Sequence, residues 1–520
     1  MEYLFKGLRK SITDGEPLRQ TLAHRLDLPD IDAVIVEREA IDARRKPTLY
    51  YVYNLRFTVT RGSPRLQALL SQGTISPYSP KPLPTPEPRI SLPEQPIIIG
   101  FGPAGLFAGL HLAQMGYRPI IYERGEAIAD RVRAVDRLWS QGVLDPESNI
   151  QFGEGGAGTF SDGKLTTGKR APLDRLVLET FVQAGAPETI LFSHRPHIGT
   201  DHLRHMVTAL REQIESLGGE IHFGSKLTGL HVVDGAVEAI TVSGTRIKTR
   251  CVILAIGHSA RATVGMLHAQ GVAMEPKPFA IGTRIEHPAE FINEAQYGPV
   301  GARILPAADY KLTHHHRGLA IYSFCMCPGG EVICAASEPE GQVTNGMSRY
   351  ARDGVSSNSA LVVGIDPQRL GLRSPLEAIR YQRALEKKAY AAGGGGYVAP
   401  AQRALDLLHD RPSASLPQTT YRPGVAPARL DAVLPSDVIE ALKAGLRRFD
   451  QQMPGFVEKG ILIGLESRTS SPVRILRDGN CRSISTEGLY LLGEGAGYAG
   501  GIMTCARDAV RFARLVNPRN

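Results

Sequence analysis

Three consecutive isoleucines, Ile97–Ile99, run directly into Gly100-Phe101-Gly102-Pro103-Ala104-Gly105. An apolar strand that breaks into GxGxxG and then into a helical pattern permits few folds. Leu106, Leu110, Leu112 and Ala113 supply the helix face that packs on a sheet, and Pro119–Tyr122 reads as a second strand ending in Glu123. Each part has a physical reason. Gly100 permits the tight turn, Gly102 lets the backbone approach a pyrophosphate where a Cβ would collide, and Gly105 lets the helix lie close to the strand. The free N–H groups of the helix N-terminus, including those at Ala104 and Gly105 after Pro103, favour a bound anion. Glu123 is placed to accept hydrogen bonds from both hydroxyls of an unphosphorylated ribose. The unit is a βαβ dinucleotide-binding device.

NAD and FAD use the same device, so the choice rests on the other end of the chain. Thr486–Glu494 reads as a turn, a short apolar strand, then Gly493-Glu494. Gly495, Gly497, Gly500 and Gly501 follow, and a helical pattern begins at Ile502. This resembles the second FAD motif of glutathione-reductase-type flavoproteins. The resemblance implies that Glu494 bonds the ribitol or pyrophosphate region and that the helix N-terminus at Gly501 and Ile502 faces the flavin edge, where negative charge gathers on reduction. Glutamate stands where aspartate is more usual. No second GxGxxG precedes another strand, so NAD(P)H is expected only as a transient electron donor.

The organisation follows from where the pattern changes. Residues 1–62 read as a small α/β module, and 63–93 as a proline-rich linker, since proline at every second position forbids helix and sheet ladder. Residues 94–270 with 456–520 form the FAD-binding domain, and 271–455 an inserted α+β substrate or cap domain. Asp201–Leu217 is a helix with Thr200 or Asp201 as N-cap. Four strand-like runs from 220 to 248 form a meander with a hairpin turn at Asp234-Gly235. Cys251–Gly257 is a continuous apolar run typical of a buried parallel strand, and Gly257 ends it beside the cofactor. Helices are expected at Leu376–Ala392 and Asp437–Phe449. The fold class is therefore α/β: a Rossmann-like domain of glutathione-reductase type, assembled from discontinuous segments.

Several further segments resemble a family of uncharacterised FAD-dependent dehydrogenases: NIQFGEGGAGTFSDGK at 149–164, PHIGTD at 196–201, FCMCPGG at 324–330, NGMS at 345–348, TSSPVR at 469–474 and GEGAGYAGGI at 493–502. The resemblance covers most of residues 30 to 515 and implies the fold and FAD. It implies little about the substrate. The residues support it: the glycine-rich loop with Gly156 and Ser161 is suited to approach the flavin or pyrophosphate through backbone N–H groups. Arg124 and Arg131 are candidates for the phosphates or the adenine, with surface ion pairs as the alternative. In the resembling family the 469–474 segment is near the flavin, so Arg474 is a candidate to bind an anionic substrate group or polarise the flavin; Glu466 and Arg468 read as a structural pair.

Flavin carries the hydride or electron step, and the question is which side chains face it. Cys325 and Cys327 are the sharpest candidates, as a redox dithiol or a nucleophile. The plainer reading is two residues on one face of a buried strand. No second CxC or CxxC pair completes a zinc site, so no metal is expected. His314, His315 and His316 alternate in direction and read as a polar loop; His194 and His197 flank Pro196.

The chain has 520 residues, 42% apolar and 22% charged, enough for two or three cores. Net charge is +8, but the basic residues are dispersed, so nucleic acid is not expected as a partner. A small-molecule substrate is expected, with a redox partner as a further one. The first ten residues lack an apolar stretch, no run approaches a membrane span, and a cytoplasmic enzyme with reduced thiols is the expectation. The leading reading is an FAD-dependent dehydrogenase or reductase acting on a small organic substrate. The alternatives are an oxidase or monooxygenase using O2, a flavin-dependent RNA-modifying protein, and an interaction protein with FAD as a structural ligand.

Overall fold

The computed structural model describes residues 1–80, 82–168 and 171–519; Lys81 of the expected linker lies outside them. The N-terminal module is larger than expected. It runs strand Glu2–Ser11, helix Leu18–Leu26, strands Ile31–Asp42 and Tyr50–Val59, helix Pro64–Ser71 and strand Ile75–Pro77. The sheet is antiparallel, with the second, third, first and fourth strands side by side. This is a split βαβ arrangement. Leu66, Leu69 and Ile75 share one core with Leu22, Leu55 and Phe57, so the module closes near 77 rather than 62. Pro64 marks no linker: it occupies the first helical turn, where its missing N–H costs nothing, and Ser63 caps that helix by accepting from the Leu66 N–H.

The central sheet is parallel and five-stranded. In order across the sheet its strands are Leu489–Leu491, Val252–Leu254, Ile97–Ile99, Ile120–Tyr122 and Glu220–His222. Alternate residues face opposite layers. Ile98 and Ile253 pack under the helices Pro103–Gln114, Thr200–Ser216 and Ile502–Ala513. Ile97, Ile99, Val252 and Leu254 pack on a three-stranded antiparallel layer, Leu227–Val233, Ala236–Val242 and Thr245–Lys248. Glu220–His222 therefore joins the central sheet rather than the meander. Asp234 and Gly235 both have positive φ, as a tight two-residue hairpin requires. The helix after Pro196 is capped by Gly199, not by Thr200 or Asp201. Thr200 instead donates to the Thr159 carbonyl, and the Asp201 carboxylate accepts from the Tyr350 N–H.

The second domain is built on a seven-stranded sheet centred on Phe279–Pro288, Ser356–Ile365 and Ile461–Glu466. Helices Pro375–Ala392 and Ser436–Gln452 cover it. Ile461–Glu466 pairs with both Phe279–Pro288 and Ala399–Arg403, so the inserted domain ends near 469, not 455. A fully buried strand reads alike in either domain, which is why its sequence did not assign it. The two crossings between domains, Met274–Pro276 and Val473–Ile475, pair with each other.

One buried ion cluster fastens the domains together. Glu386, fully buried on the Pro375–Ala392 helix, accepts two hydrogen bonds of 2.7 Å from Arg261 of the cofactor domain. It also accepts from Arg468 at 3.0 and 2.8 Å and from the Ser467 hydroxyl at 2.7 Å. Arg468 is thus not the partner of Glu466, which pairs instead with buried Arg284 at 3.0 and 3.1 Å. Burial alone would raise the Glu386 carboxyl, but Arg261 and Arg468 outweigh it and hold the group far below the ordinary carboxylate range. A carboxylate depressed in this way stabilises the fold fully above the usual value of ~4.3, and that contribution is lost as pH falls. Glu386→Ala is expected to cost about 3–5 kcal/mol in chemical denaturation, because two buried guanidinium groups lose the carboxylate they share and keep only Glu338 as counter-charge. Glu386→Gln should flatten the loss of stability that the native protein shows below pH ~4.

Candidate functional site

Between the C-terminal ends of the central strands and the large sheet lies a cavity of about 820 Å³. The GxGxxG turn forms one wall. Gly100 has φ +99°, and a Cβ there would stand 2.5 Å from the Ala255 carbonyl oxygen. A Cβ on Gly105 would stand 1.9 Å from the Gly100 carbonyl oxygen, so Gly105 serves helix–strand contact and does not line the cavity. Gly102 differs. Within 4 Å its Cβ would meet only the Gly156 Cα at 3.7 Å, and would otherwise project into the cavity beside Gly100, Pro103 and Ala104. Gly102 starts the Pro103–Gln114 helix with no side-chain cap, leaving the first N–H groups of that helix for whatever the cavity holds.

Glu123 lines the same end and is only 5% exposed. It accepts from the backbone N–H groups of Phe101 (2.8 Å), Gly125 (3.0 Å) and Gly153 (2.9 Å). Ordering the turn and the neighbouring loop therefore occupies three of its roughly four acceptor positions and leaves one on Oε2. Arg124 also lines the cavity, stacked 3.7 Å over Phe152 and donating to Glu147 at 2.8 Å. Arg131 is a correction. It is fully buried outside the cavity and donates to the carbonyls of Asn149, Ile150, Glu154 and Gly156. Those bonds fold the glycine-rich loop that presents Gly156 and Ser161 to the cavity.

The C-terminal motif closes the opposite wall. Glu494, Gly501 and Ile502 line it, together with Gly257. Gly501 has φ +82° and begins the Ile502–Ala513 helix, again with no side-chain cap. Glu494 lies 3.6 Å from His258. Gly493 sits behind the wall; its Cβ would come within 2.7 Å of the Ala104 side chain, so it permits the two motifs to touch.

The far end belongs to the second domain, where Tyr310, Cys325, Asn345 and Glu466 meet Lys164 from the glycine-rich loop. The strand Leu319–Cys327 does not run straight to its end. Phe324 pairs with Ala360 but Cys327 with Asn358, so one extra residue bulges, and Cys325 adopts φ +44°. The bulge turns Cys325 into the cavity while Cys327 stays fully buried behind it. The Cys325 thiol is lowered to about 6, first because Cys327 donates a hydrogen bond to its sulfur; burial opposes this, and Lys164 and Arg284 add positive charge. Cys327 is pushed well up by the same bond and by burial. The Lys164 ammonium has no hydrogen-bond partner and lies 3.6 Å from Asp162, whose carboxylate Arg352 already holds at 2.9 and 2.5 Å.

Arg474 is a second correction. It lies outside the cavity lining, paired with Glu275 at 3.1 Å, and both side chains are substantially exposed. The arginine that reaches the cavity from this segment is Arg468, with Thr469 and Ser470; Ser471 is buried and bonds the Val473 carbonyl. His194 lines the cavity and is bonded to Arg38 of the N-terminal module, whereas His197 stacks on Tyr350 away from it. The His314–His316 run lies in the strand Thr313–His316 and none of it lines the cavity. Tyr310 and Arg352 were not singled out in the sequence, and Asn345 only as part of the NGMS segment, since nothing in their local pattern marks the turn of chain that carries them inward.

A chain with this cavity, walled by a GxGxxG turn at one end of the sequence and a glycine-led helix at the other, matches the family described as "FAD dependent oxidoreductase" over residues 194–296 and the family described as "FAD-dependent protein, C-terminal domain-like" over residues 278–469. The second match coincides with the large-sheet domain. The protein is an FAD-dependent oxidoreductase with a Rossmann-like FAD-binding fold. It belongs to one family with a Clostridium beijerinckii protein described as an uncharacterized protein, 44% identical over 515 residues that cover 97% of this chain and 96% of the other. Among solved structures it is similar to the halogenase PltM (13% identity, TM-score 0.36, covering 80% of this chain and 68% of that one) and to glycine oxidase from Bacillus cereus (12%, 0.35, 81% and 94%). Among the described residues no helix is long and apolar enough to cross a membrane.

The low Cys325 pKa has a direct readout. Iodoacetamide labelling of Cys325 in the native protein is expected to rise through a midpoint near pH 6, against ~8.5 for an ordinary thiol. Peptide mass spectrometry of a pH series checks this, and a midpoint above 8 would refute the thiolate assignment.

Proposed function

We propose that FAD lies along this cavity and exchanges electrons with a small organic substrate at the end walled by Cys325, Lys164 and Asn345. The observation that carries the reading is that two helix N-termini, from opposite ends of the chain, open uncapped onto one cavity. Gly102, Pro103 and Ala104 with the first helix would hold the pyrophosphate; Glu123 and Arg124 the adenosine end; Gly156, Ser161 and Gly257 the middle; and Glu494, Gly501 and Ile502 the ribitol and flavin edge. When bound, FAD supplies the hydride or electron step. The chain's own groups orient the substrate and hold charge. Lys164 offers a cation with a free donor, and the Arg284–Glu466 pair and Arg468 fix the floor of the site. Cys325 is placed to take or give a proton as its thiol and thiolate interconvert near neutral pH. The proposed donor is a reduced nicotinamide that visits the site transiently, and the six free thiols suit a reducing, cytoplasmic setting.

The purified protein is expected to be yellow, to release FAD on denaturation, and to bleach at the flavin bands when mixed anaerobically with NADH or NADPH. Protein that folds but carries no FAD would defeat the reading; FAD without bleaching would defeat only the donor. Gly102→Val should lower FAD occupancy at least about tenfold with an unchanged circular dichroism spectrum, because its side chain enters the cavity rather than the core.

A further inference from the structure

We propose that Cys325 and Cys327 are a dithiol–disulfide couple that exchanges two electrons with the flavin, so that the holoenzyme stores one electron pair on FAD and a second on sulfur. The inference rests on FAD occupying the cavity. Its basis is the bulge. In a straight strand, residues two apart are separated by about 6.6 Å, close to the upper limit for a disulfide. Here the left-handed turn at Cys325 and the extra residue between Phe324 and Cys327 break that extension. The Cys327 thiol donates to the Cys325 carbonyl oxygen at 3.4 Å, and it stands close enough to the Cys325 side chain to lower that thiol.

The surroundings are arranged for that sulfur pair. Glycine stands on both sides of Cys327: a Cβ on Gly346 would come within 3.0 Å of its Sγ, and one on Gly330 within 3.1 Å of its Cβ. Arg284 is fully buried beside the pair and donates to the Cys325 carbonyl at 3.3 Å and to Asn358 at 2.7 Å. Lys164 brings a second positive charge from the glycine-rich loop. One sulfur faces the cavity and its neighbour is sealed behind it, so an external thiol meets Cys325 first.

The electron balance closes inside the holoenzyme. As the sulfur–sulfur bond forms, the Cys325 thiolate and the Cys327 thiol together lose two electrons, and the Cys327 S–H bond breaks. The electron pair and the Cys327 proton pass to oxidised flavin. In the reverse direction reduced flavin returns both, the disulfide opens, and the thiolate–thiol pair is restored.

Reductive titration tests this without any substrate. Holoenzyme is oxidised with diamide, desalted, and titrated anaerobically with dithionite while the flavin bands are followed. The native protein is expected to consume about two equivalents per flavin before reduction is complete. Cys325→Ser and Cys327→Ser should each consume about one, since a lone thiol cannot close the ring. Mass spectrometry of the peptide spanning 324–330 from oxidised, FAD-stripped protein should show the loss of two hydrogens. Equal dithionite consumption in the native protein and both variants overturns the inference, whatever the peptide mass. Absence of FAD would instead defeat the cofactor reading, while the peptide mass would still report whether the disulfide forms.

Discussion

The fully buried carboxylate of Glu386 is the constraint on which the two-domain structure turns. Taking a carboxylate out of water costs several kcal/mol, and the cost is offset only if its partners arrive in good geometry. Those partners come from the cofactor domain (Arg261) and from the end of the inserted domain itself (Arg468). The inserted domain supplies Arg468 and Ser467, and the cofactor domain adds the two bonds from Arg261. Arg261 therefore ties the cofactor domain to the Pro375–Ala392 helix through buried charge. Arg468 also lines the cavity, so the cluster that makes this tie also shapes the floor of the site.

A second buried arginine does the same work within the cofactor domain. Arg131 satisfies four carbonyls of a loop too rich in glycine to hold a shape by itself. Glu123 accepts three N–H groups from the turn and the loop opposite. An acidic and a basic side chain, both buried, thus arrange the two backbone segments between which a dinucleotide would pass. Glu123 lines the cavity and Arg131 stands behind it, so the shape of this wall depends on both.

Much of this was legible in the sequence, and the misreadings have physical causes. GxGxxG and GEGAGYAGGI are local patterns with steric reasons, and Gly100 and Gly105 meet backbone oxygens just as those reasons demand. The domain limits at 62 and 455 were misplaced because Pro64 and Ile461–Glu466 belong to elements whose partners are far away in sequence. Arg131 and Arg474 carry the right charge in the right segments, but whether an arginine meets carbonyls, a surface glutamate or a cavity is decided by packing. The CxC pattern reads in sequence as a redox or nucleophilic pair or, more plainly, as two residues on one face of a buried strand. A left-handed cysteine has no sequence signature, so the bulge that separates the fates of Cys325 and Cys327 was invisible.

The order of strands in the central sheet bears on how the protein is made. Leu489–Leu491 pairs with Val252–Leu254, which in turn pairs with Ile97–Ile99, so a sheet begun at Ile97 waits until Leu489 for its last strand. While the ribosome is still at work, the nascent cofactor domain has an open edge and lacks the Ile502–Ala513 helix over its core. The glycine turn emerges long before the wall that completes its pocket, and the inserted domain has the interval in which to fold first. The cavity is therefore complete only once Glu494, Gly501 and Ile502 have joined the walls built from the earlier strands.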